Sequence, residues 1–432
     1  MSSTPWAYRA AVWLGTGLAP ALSRLSPKLQ AGDEGRRGSL ERLLEWSRRN
    51  RDPSRPLVWF HAASVGEGLQ AESVMLELTR RRPDCQMIYT HFSPSASRLA
   101  RRLAVDAADF LPYDLPKPVA RLLASLHPDL LVFAKLDLWP ELATQAANGG
   151  CRIAMVGATV SPGSARLRWP ARSLLAPGYR AVSAAAAVSA EDGERLSRLG
   201  VPAERISVLG DPRFDSVLRK TRENEGADDV PRLAPGAAVL VAGSTWPADE
   251  AVLLRAFAEL RRRRPDVRLI LVPHEPTAPH LRGVEQRAAG LGLPEPQRAS
   301  RADGTAALIL LDRVGGLARL NGLAGMAYVG GGFGSAGLHS VLEPAAWGIP
   351  VIFGPRWQNS RDARLLLEAG AAVALPRGAR SEASKALADQ WDRWIGESES
   401  RAAQGRRARE VVETGLGASG RSAAMLAELI SR

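Results

Sequence analysis

The sequence predicts an α/β protein made of two parallel-sheet domains in tandem. Three observations carry this. From Leu57 onward, short apolar runs alternate with helical patterns, the signature of parallel strands joined by crossover helices. A polar stretch from Arg219 to Pro235, holding Asn224-Glu225-Gly226-Ala227-Asp228-Asp229, interrupts the alternation and reads as a linker. The alternation then restarts. At 432 residues the chain is also too long for one ordinary domain.

In the first half, strands are expected at Leu57–Ala62, Gln86–Thr90, Leu130–Ala134, Ile153–Ala158, Ala184–Val188 and Ile206–Leu209. Helices are expected at Gly68–Arg81, Lys117–Leu126, Pro140–Asn148 and Ala190–Leu199. In the second half, strands are expected at Ala237–Ala242, Val267–Val272, Ala306–Leu311, Met326–Val329 and Val351–Phe353. Arg261 to Arg264 read as the solvated end of a helix, where cations suit the dipole. The expected organisation is an N-terminal helix over residues 1–30, a Rossmann-like domain over 31–218, a linker over 219–235 and a second Rossmann-like domain over 236–400. Residues 401–432 form a C-terminal helix able to cross back to the first domain. Ligand is expected in a central cleft that the two domains face.

Composition narrows the function classes. Only Cys85 and Cys151 are present, so a disulfide framework is excluded and no spacing fits zinc. The net charge of +12 favours an anionic partner, such as phosphates or an acidic membrane face. Nucleic acid is not expected, because no RNA-binding signature, zinc finger or aromatic-basic strand occurs. No apolar run reaches bilayer-spanning length. Residues Trp6 to Leu22 are nonetheless apolar, with Trp6, Ala10, Trp13, Leu14 and Gly17 on one helical face. Lys28, Arg36, Arg37, Arg42, Arg48, Arg49, Arg51 and Arg55 follow, placed to meet anionic headgroups. A helix lying on the membrane is the expectation. A core-docking helix and a signal peptide ending near Ala19-Pro20-Ala21 are the alternatives.

The most informative block runs from Gly330 to Pro355, read as strand, glycine loop, helix, strand. Its glycines let backbone N–H groups approach a bulky anion, and a helix start near Ser340 would add positive potential, together a phosphate cradle. Glu343 lies about one turn in, placed to accept hydrogen bonds from a ribose diol. Ser340 to Glu343 also fits a capping box. Ser244 and Thr245 precede Pro247, a helix start whose hydroxyls can also serve a ligand.

These residues, with further stretches, resemble the Kdo transferases of lipopolysaccharide synthesis, glycosyltransferases of the GT-B type. The resemblance runs through His61-Ala62-Ala63-Ser64-Val65-Gly66-Glu67, Lys135-Leu136-Asp137-Leu138-Trp139 and Gly210-Asp211-Pro212-Arg213-Phe214-Asp215. It continues through Gly243-Ser244-Thr245-Trp246-Pro247, Pro273-His274-Glu275, the glycine block and Gly354-Pro355 to Asn359. It implies transfer of 3-deoxy-manno-octulosonic acid (Kdo) from CMP-Kdo to lipid A precursor, lipid IVA, on the cytoplasmic face of the bacterial inner membrane, with anionic lipids as a surface partner. No cofactor and no metal are implied. Other implied possibilities are a GT-B enzyme or epimerase using another nucleotide sugar, and an inactive nucleotide-sugar-binding scaffold.

The resemblance makes Glu67 the general base. The position also suits a base, because it follows a strand at the carboxyl edge of a sheet. Its alternative is a capping box with Ser64. Gly66 and Gly68 flank it, as if something approaches closely, and with Ser64 they are the expected acceptor contacts. Lys135 and Asp137 are expected beside it at the cleft edge, with a loop ion pair as the alternative. The expected donor contacts are Ser244, Thr245, His274, Gly332, Phe333, Gly334, Ser335, Gly337, His339, Ser340, Glu343 and Asn359. The chain departs from common family residues at His274, where Arg is usual in Pro-Arg-His, at Gly316, where Glu is usual, and at Ser340, where Asn is usual.

Overall fold

The computed structural model describes residues 3–23, 26–224, 236–302, 306–335 and 337–431. The chain forms two compact units: Met1–Ser216 with Gly415–Arg432, and Val217–Thr414. Of the expected linker, Arg219 to Asn224 continue the helix Pro212–Asn224, and the remainder lies outside the described residues.

In the first unit, β1 (Leu57–His61), β2 (Gln86–His91), β3 (Ala107–Phe110), β4 (Leu130–Ala134), β5 (Arg152–Ala158), β6 (Ala184–Ala187) and β7 (Ile206–Val208) build one sheet. All pairings are parallel, and the order is β3-β2-β1-β4-β5-β6-β7. The inner strands read as continuous apolar runs because helices cover both faces. Leu57 and Trp59 of β1 join one core and Val58 and Phe60 the other. β3 was not expected, since its Ala-Ala-Asp-Phe edge strand buries only its last residue.

The order reverses between β1 and β4. Their registered pair His61–Phe133 sets the loops that follow the two strands side by side. One carries Ser64 to Glu67, the other Lys135 to Trp139.

The chain returns to this unit at its end. The Asp215 carboxylate accepts hydrogen bonds from Gly417 N (2.7 Å) and Ser419 N (2.8 Å). The helix Ala418–Ser431 then lies along Val65–Arg81, with Ala423 and Leu426 buried against the sheet. Gly415 packs on the Phe214 ring, where a Cβ would fall 2.5 Å from the nearest ring carbon. The stretch Gly210 to Asp215 is therefore a clasp for the returning chain.

The helix Trp6–Ser23 is anchored by polar side chains near its start. Arg9 pairs with both oxygens of buried Glu141 (2.7 and 2.9 Å), and Tyr8 Oη donates to Asp114 (2.8 Å). Trp6, Trp13, Leu14 and Leu18 are exposed, while Ala10 is half-buried. Ala19-Pro20-Ala21 lies inside this helix. No helix among the described residues is long and apolar enough to cross a membrane.

Part of the basic run after this helix is committed within the fold, which corrects the reading of Arg36 as a headgroup contact, while Arg37, Arg48 and Arg49 stay exposed. Arg36 is buried, donates to the carbonyls of Leu111 (3.1 Å) and Phe92 (2.9 Å), and stacks over the Phe92 ring at 4.0 Å. Arg42 pairs with Asp109, and Arg55 donates to the Asp84 and Cys85 carbonyls.

In the second unit, β8 (Gly236–Thr245), β9 (Arg268–Pro273), β10 (Gln297–Arg298), β11 (Leu308–Leu310), β12 (Ala324–Val329), β13 (Val351–Phe353) and β14 (Ala372–Ala374) form a second parallel sheet. Its order is β10-β11-β9-β8-β12-β13-β14. The edge strands β10 and β14 were not expected, being two and three residues long. Here the order reverses between β8 and β12, and Gly243 pairs with Val329 at the strand ends. Phe257, on Pro247–Arg261, stacks on buried Trp391 of Arg380–Gly396 at 5.9 Å.

One buried histidine makes the first unit acid-sensitive. His91 Nδ1 donates to Ser93 O (3.1 Å), its ring lies 4.1 Å from Phe110, and burial pushes its pKa down to about 4. The unfolded chain binds that proton below about pH 6.5 and the folded chain does not, so stability falls from pH 6.5 toward 4. Asp114 acts with the opposite sign, because burial raises its carboxyl to about 6. Urea unfolding of His91→Leu should therefore show a shallower stability loss over pH 6.5 to 4 than the wild-type chain. Parallel profiles would contradict this.

Candidate active site

At the first strand reversal, Ser64 adopts an extended conformation and begins the helix Val65–Arg81. Glu67 Oε2 accepts from Ser64 N (3.1 Å) and Ser64 Oγ (3.0 Å), and Ser64 Oγ accepts from Glu67 N (3.5 Å). The capping box is thus formed. It leaves Oε1 facing Lys135, whose Nζ is 3.9 Å away and half exposed. The two readings of Glu67 coexist: one oxygen caps the helix, and the other meets a cation at the edge of the sheet. Lys135 reaches this place because its φ is +61°, a left-handed turn straight after β4.

The flanking glycines have different causes. A Cβ at Gly68 would lie 2.5 Å from Leu99 Cδ2 and 2.7 Å from Tyr89 Oη, so internal packing requires glycine there. That corrects its reading as an acceptor contact. A Cβ at Gly66 would meet nothing within 4 Å, so Gly66 faces open space.

A polar chain runs at the ends of the same strands. Trp139 Nε1 donates to His61 Nε2 (3.0 Å), so Nδ1 carries the proton of the neutral ring and donates to Thr90 Oγ1 (3.0 Å). Trp139 also stacks on Phe92 at 5.1 Å. Asp137 lies against this group. Its Oδ1 accepts from Arg166 Nη2 (3.4 Å), and its Oδ2 is 3.5 Å from His61 Nε2, with no hydrogen-bond partner among the described residues. Burial raises the Asp137 carboxyl; Arg166, and His61 whenever its ring is protonated, pull it the other way, below the ordinary range. Arg166 was absent from the sequence reading, and it ties the loop further by donating to Leu136 O (2.8 Å).

At the second reversal, Ser244 (φ +53°), His339, Ser340 and Glu343 line one pocket with Gly243, Leu317 and Asn321. Burial raises the Glu343 carboxyl, partly offset by Lys220. Trp246 Nε1 donates to His339 Nε2 (3.0 Å), and His274 packs against both rings, 4.9 Å from Trp246 and 4.4 Å from His339. Burial, helped by His274, pushes His339 down to about 4. Near neutral pH it offers an Nδ1–H donor and no charge.

Several expected donor contacts are used elsewhere. Thr245 is buried and donates to Glu250 Oε1 (3.0 Å), so it is committed inside the unit. Trp246, not a hydroxyl residue, holds the N-cap of Pro247–Arg261, where Asp249 Oδ2 accepts its N–H (3.0 Å). Gly332 packs on Gly354, leaving a Cβ only 2.6 Å from its nitrogen, and Phe333 rests partly on the core. Ser335 and Gly337 are exposed, Gly334 half-buried, and Asn359 sits exposed in the turn before Arg361–Glu368.

The cradle itself differs from expectation in two ways. Its helix is only five residues, Leu342–Ala346, and begins after Ser340, so the dipole contribution is small and no Ser340 capping box forms. Second, Asp249 takes the Gly331 N–H (3.0 Å) and the Tyr328 hydroxyl (2.8 Å). An internal carboxylate thus occupies the start of the glycine loop. Burial raises this carboxyl, against the hydrogen bonds it receives. Acidic residues just after Pro247, in a first helical turn, were the available signal for Asp249 and Glu250.

Two parallel-sheet α/β units, each with polar side chains gathered at its strand reversal, make this a GT-B fold. The structure of UDP-GlcNAc 2-epimerase from Neisseria meningitidis bound to UDP-GlcNAc shares this fold, with a TM-score of 0.59 at 12% identity over 87% of this chain and 99% of that one. Residues 37–216 match the family model described as 3-deoxy-D-manno-octulosonic-acid transferase (kdotransferase). The 3-deoxy-D-manno-octulosonic acid transferase of Chlamydophila psittaci is 30% identical over 339 residues, covering 74% of this chain and 75% of that relative. The Haemophilus influenzae transferase of the same name is 26% identical over 72% of this chain and 74% of its own. The chain belongs to the 3-deoxy-D-manno-octulosonic acid transferase family, and it is a glycosyltransferase.

The glycine geometry gives a paired prediction. Gly68→Ala should lower stability by about 1–3 kcal/mol through overpacking. Gly66→Ala should leave it unchanged or slightly raised, since alanine favours a helix by up to about 1 kcal/mol. Chemical denaturation of both variants checks this. Equal losses would refute the assignment.

Proposed function

We propose that this chain transfers Kdo from CMP-Kdo to a glucosamine hydroxyl of lipid A precursor, lipid IVA, with inversion and without a metal. The observation that carries the reading is the Glu67 carboxylate, held at the carboxyl end of β1 by Ser64 through one oxygen while the other faces Lys135. The acceptor oxygen attacks the anomeric carbon of Kdo, Glu67 takes its proton, and the bond to the CMP phosphate breaks, with the electron pair leaving on phosphate. Lys135 fixes the carboxylate, and Asp137 with Arg166, His61 and Trp139 supports the loop that carries Lys135. Ser64 and Gly66 border the acceptor.

The nucleotide sugar sits in the second unit. Glu343 and Ser244 face the nucleoside, and His339, Ser340 and the loop Gly334 to Gly337 serve phosphate and sugar. Arg356, which donates to Gly334 O (3.4 Å), adds positive charge beside that loop. Donor selectivity tests the reading against an epimerase or a UDP-sugar enzyme: CMP-Kdo should support transfer and UDP-sugars should not.

Glutamine at the third helical position keeps a capping box but is no base. Glu67→Gln should therefore fold and bind CMP like the wild-type chain while losing about 10²- to 10⁴-fold in EDTA-insensitive transfer. Undiminished transfer would dismiss Glu67 as base. No transfer by the wild-type chain, with CMP still bound, would favour a nucleotide-sugar-binding scaffold.

The exposed Trp6, Trp13, Leu14 and Leu18 support contact of the first helix with anionic lipid on the cytoplasmic face of the inner membrane. Replacing Trp6, Trp13 and Leu18 together by serine should reduce co-sedimentation with vesicles containing anionic phospholipid. Unchanged sedimentation would exclude this face.

A further inference from the structure

We propose that Asn321 is a specificity-determining residue of the donor site, donating a hydrogen bond from its side-chain amide to a ribose hydroxyl of the bound nucleotide. The inference rests on reading the second unit as the nucleotide-binding one. Asn321 opens the short turn Asn321–Leu323 that leads into β12. It is only 2% exposed, and its Nδ2 has no hydrogen-bond partner among the described residues. A buried amide donor without a partner destabilises the free protein, so its retention calls for a partner that arrives. The turn has little room to shift: the next residue, Gly322, lies so close to Trp347 that a Cβ would fall 2.9 Å from the indole. Leu320, just before it, is held in the core on that face of the sheet.

Asn321 borders the pocket that Ser244, Ser340 and Glu343 also line, with Leu317 and Pro344 as apolar walls. Asn321 offers N–H donors there, and Glu343 offers carboxylate acceptors. A phosphate, which only accepts, would be repelled by Glu343. A hydroxyl donates and accepts at once, so a vicinal diol satisfies both side chains together. In a nucleoside monophosphate that group is the ribose 2′,3′-diol. Sequence reading could not single out Asn321, because an Asn-Gly pair between apolar residues reads simply as a turn.

The test is calorimetric titration of the full chain with CMP, 2′-deoxy-CMP and 3′-deoxy-CMP, for wild type, Asn321→Leu and Asn321→Ala, with melting temperatures recorded alongside. Leucine matches the volume and removes the unpaired amide. It should therefore melt at or above wild type while weakening CMP binding about tenfold, the size of one ordinary hydrogen bond. Against the deoxynucleotide that lacks the contacted hydroxyl, both variants should lose nothing further. CMP binding unchanged in both variants would overturn the inference. So would an equal loss against all three nucleotides, or a melting temperature several degrees lower in Asn321→Leu, which would make the residue structural. Wild-type protein that binds none of the nucleotides would remove the donor reading itself. Wild-type binding with indifferent variants would remove this inference alone.

Discussion

Where neighbouring parallel strands send their connections to opposite faces, the loops at their carboxyl ends part and leave a crevice. Both units are organised around that constraint. The β1–β4 pair places Glu67 beside Lys135 although nearly seventy residues separate them in sequence. The β8–β12 pair places Ser244 beside the glycine loop in the same way. Right-handed crossovers leave few other arrangements for such strands. The chemistry of each unit is written into loops whose positions the sheet has already settled.

Carboxylates in this chain carry more than one task. Glu67 is half helix cap and half open acid. Asp249 holds a helix start, a tyrosine and the first amide of the glycine loop together. A glycine-rich turn packed this tightly, backbone against backbone, would present converging N–H dipoles, and the buried carboxylate neutralises part of them before any ligand arrives. The proposed phosphate contact therefore lies further along the loop, toward Gly334 and Ser340.

Much of the fold was legible because the inner strands are buried on both faces and read as unbroken apolar runs. β3, β10 and β14 were not, since short edge strands bury too few side chains to leave a pattern. At the candidate site, the motif around Glu67 follows the carboxyl end of β1, where its preceding apolar run placed it. It could not tell that Gly68 answers to Leu99 and Tyr89, because those neighbours come from other elements. Arg36 misled for a related reason: a guanidinium enclosed by Phe92, Phe110 and Tyr113 looks in sequence like any member of a basic run. The short helix after Ser340 likewise reflects local packing. Pro344 sits inside a five-residue turn of helix that ends at Trp347.

The Asp215 clasp bears on how the chain reaches its native state. Its acceptor oxygens meet the amides of Gly417 and Ser419 across some two hundred residues of intervening chain. During synthesis the second unit is complete before those amides exist, and the first unit, begun earlier, still lacks the helix that covers Val65–Arg81. The older half of the polypeptide is thus the last to close its core. Until then Ala71, Val74 and Leu78 stand open on one side, a surface for chaperones to recognise on the nascent protein.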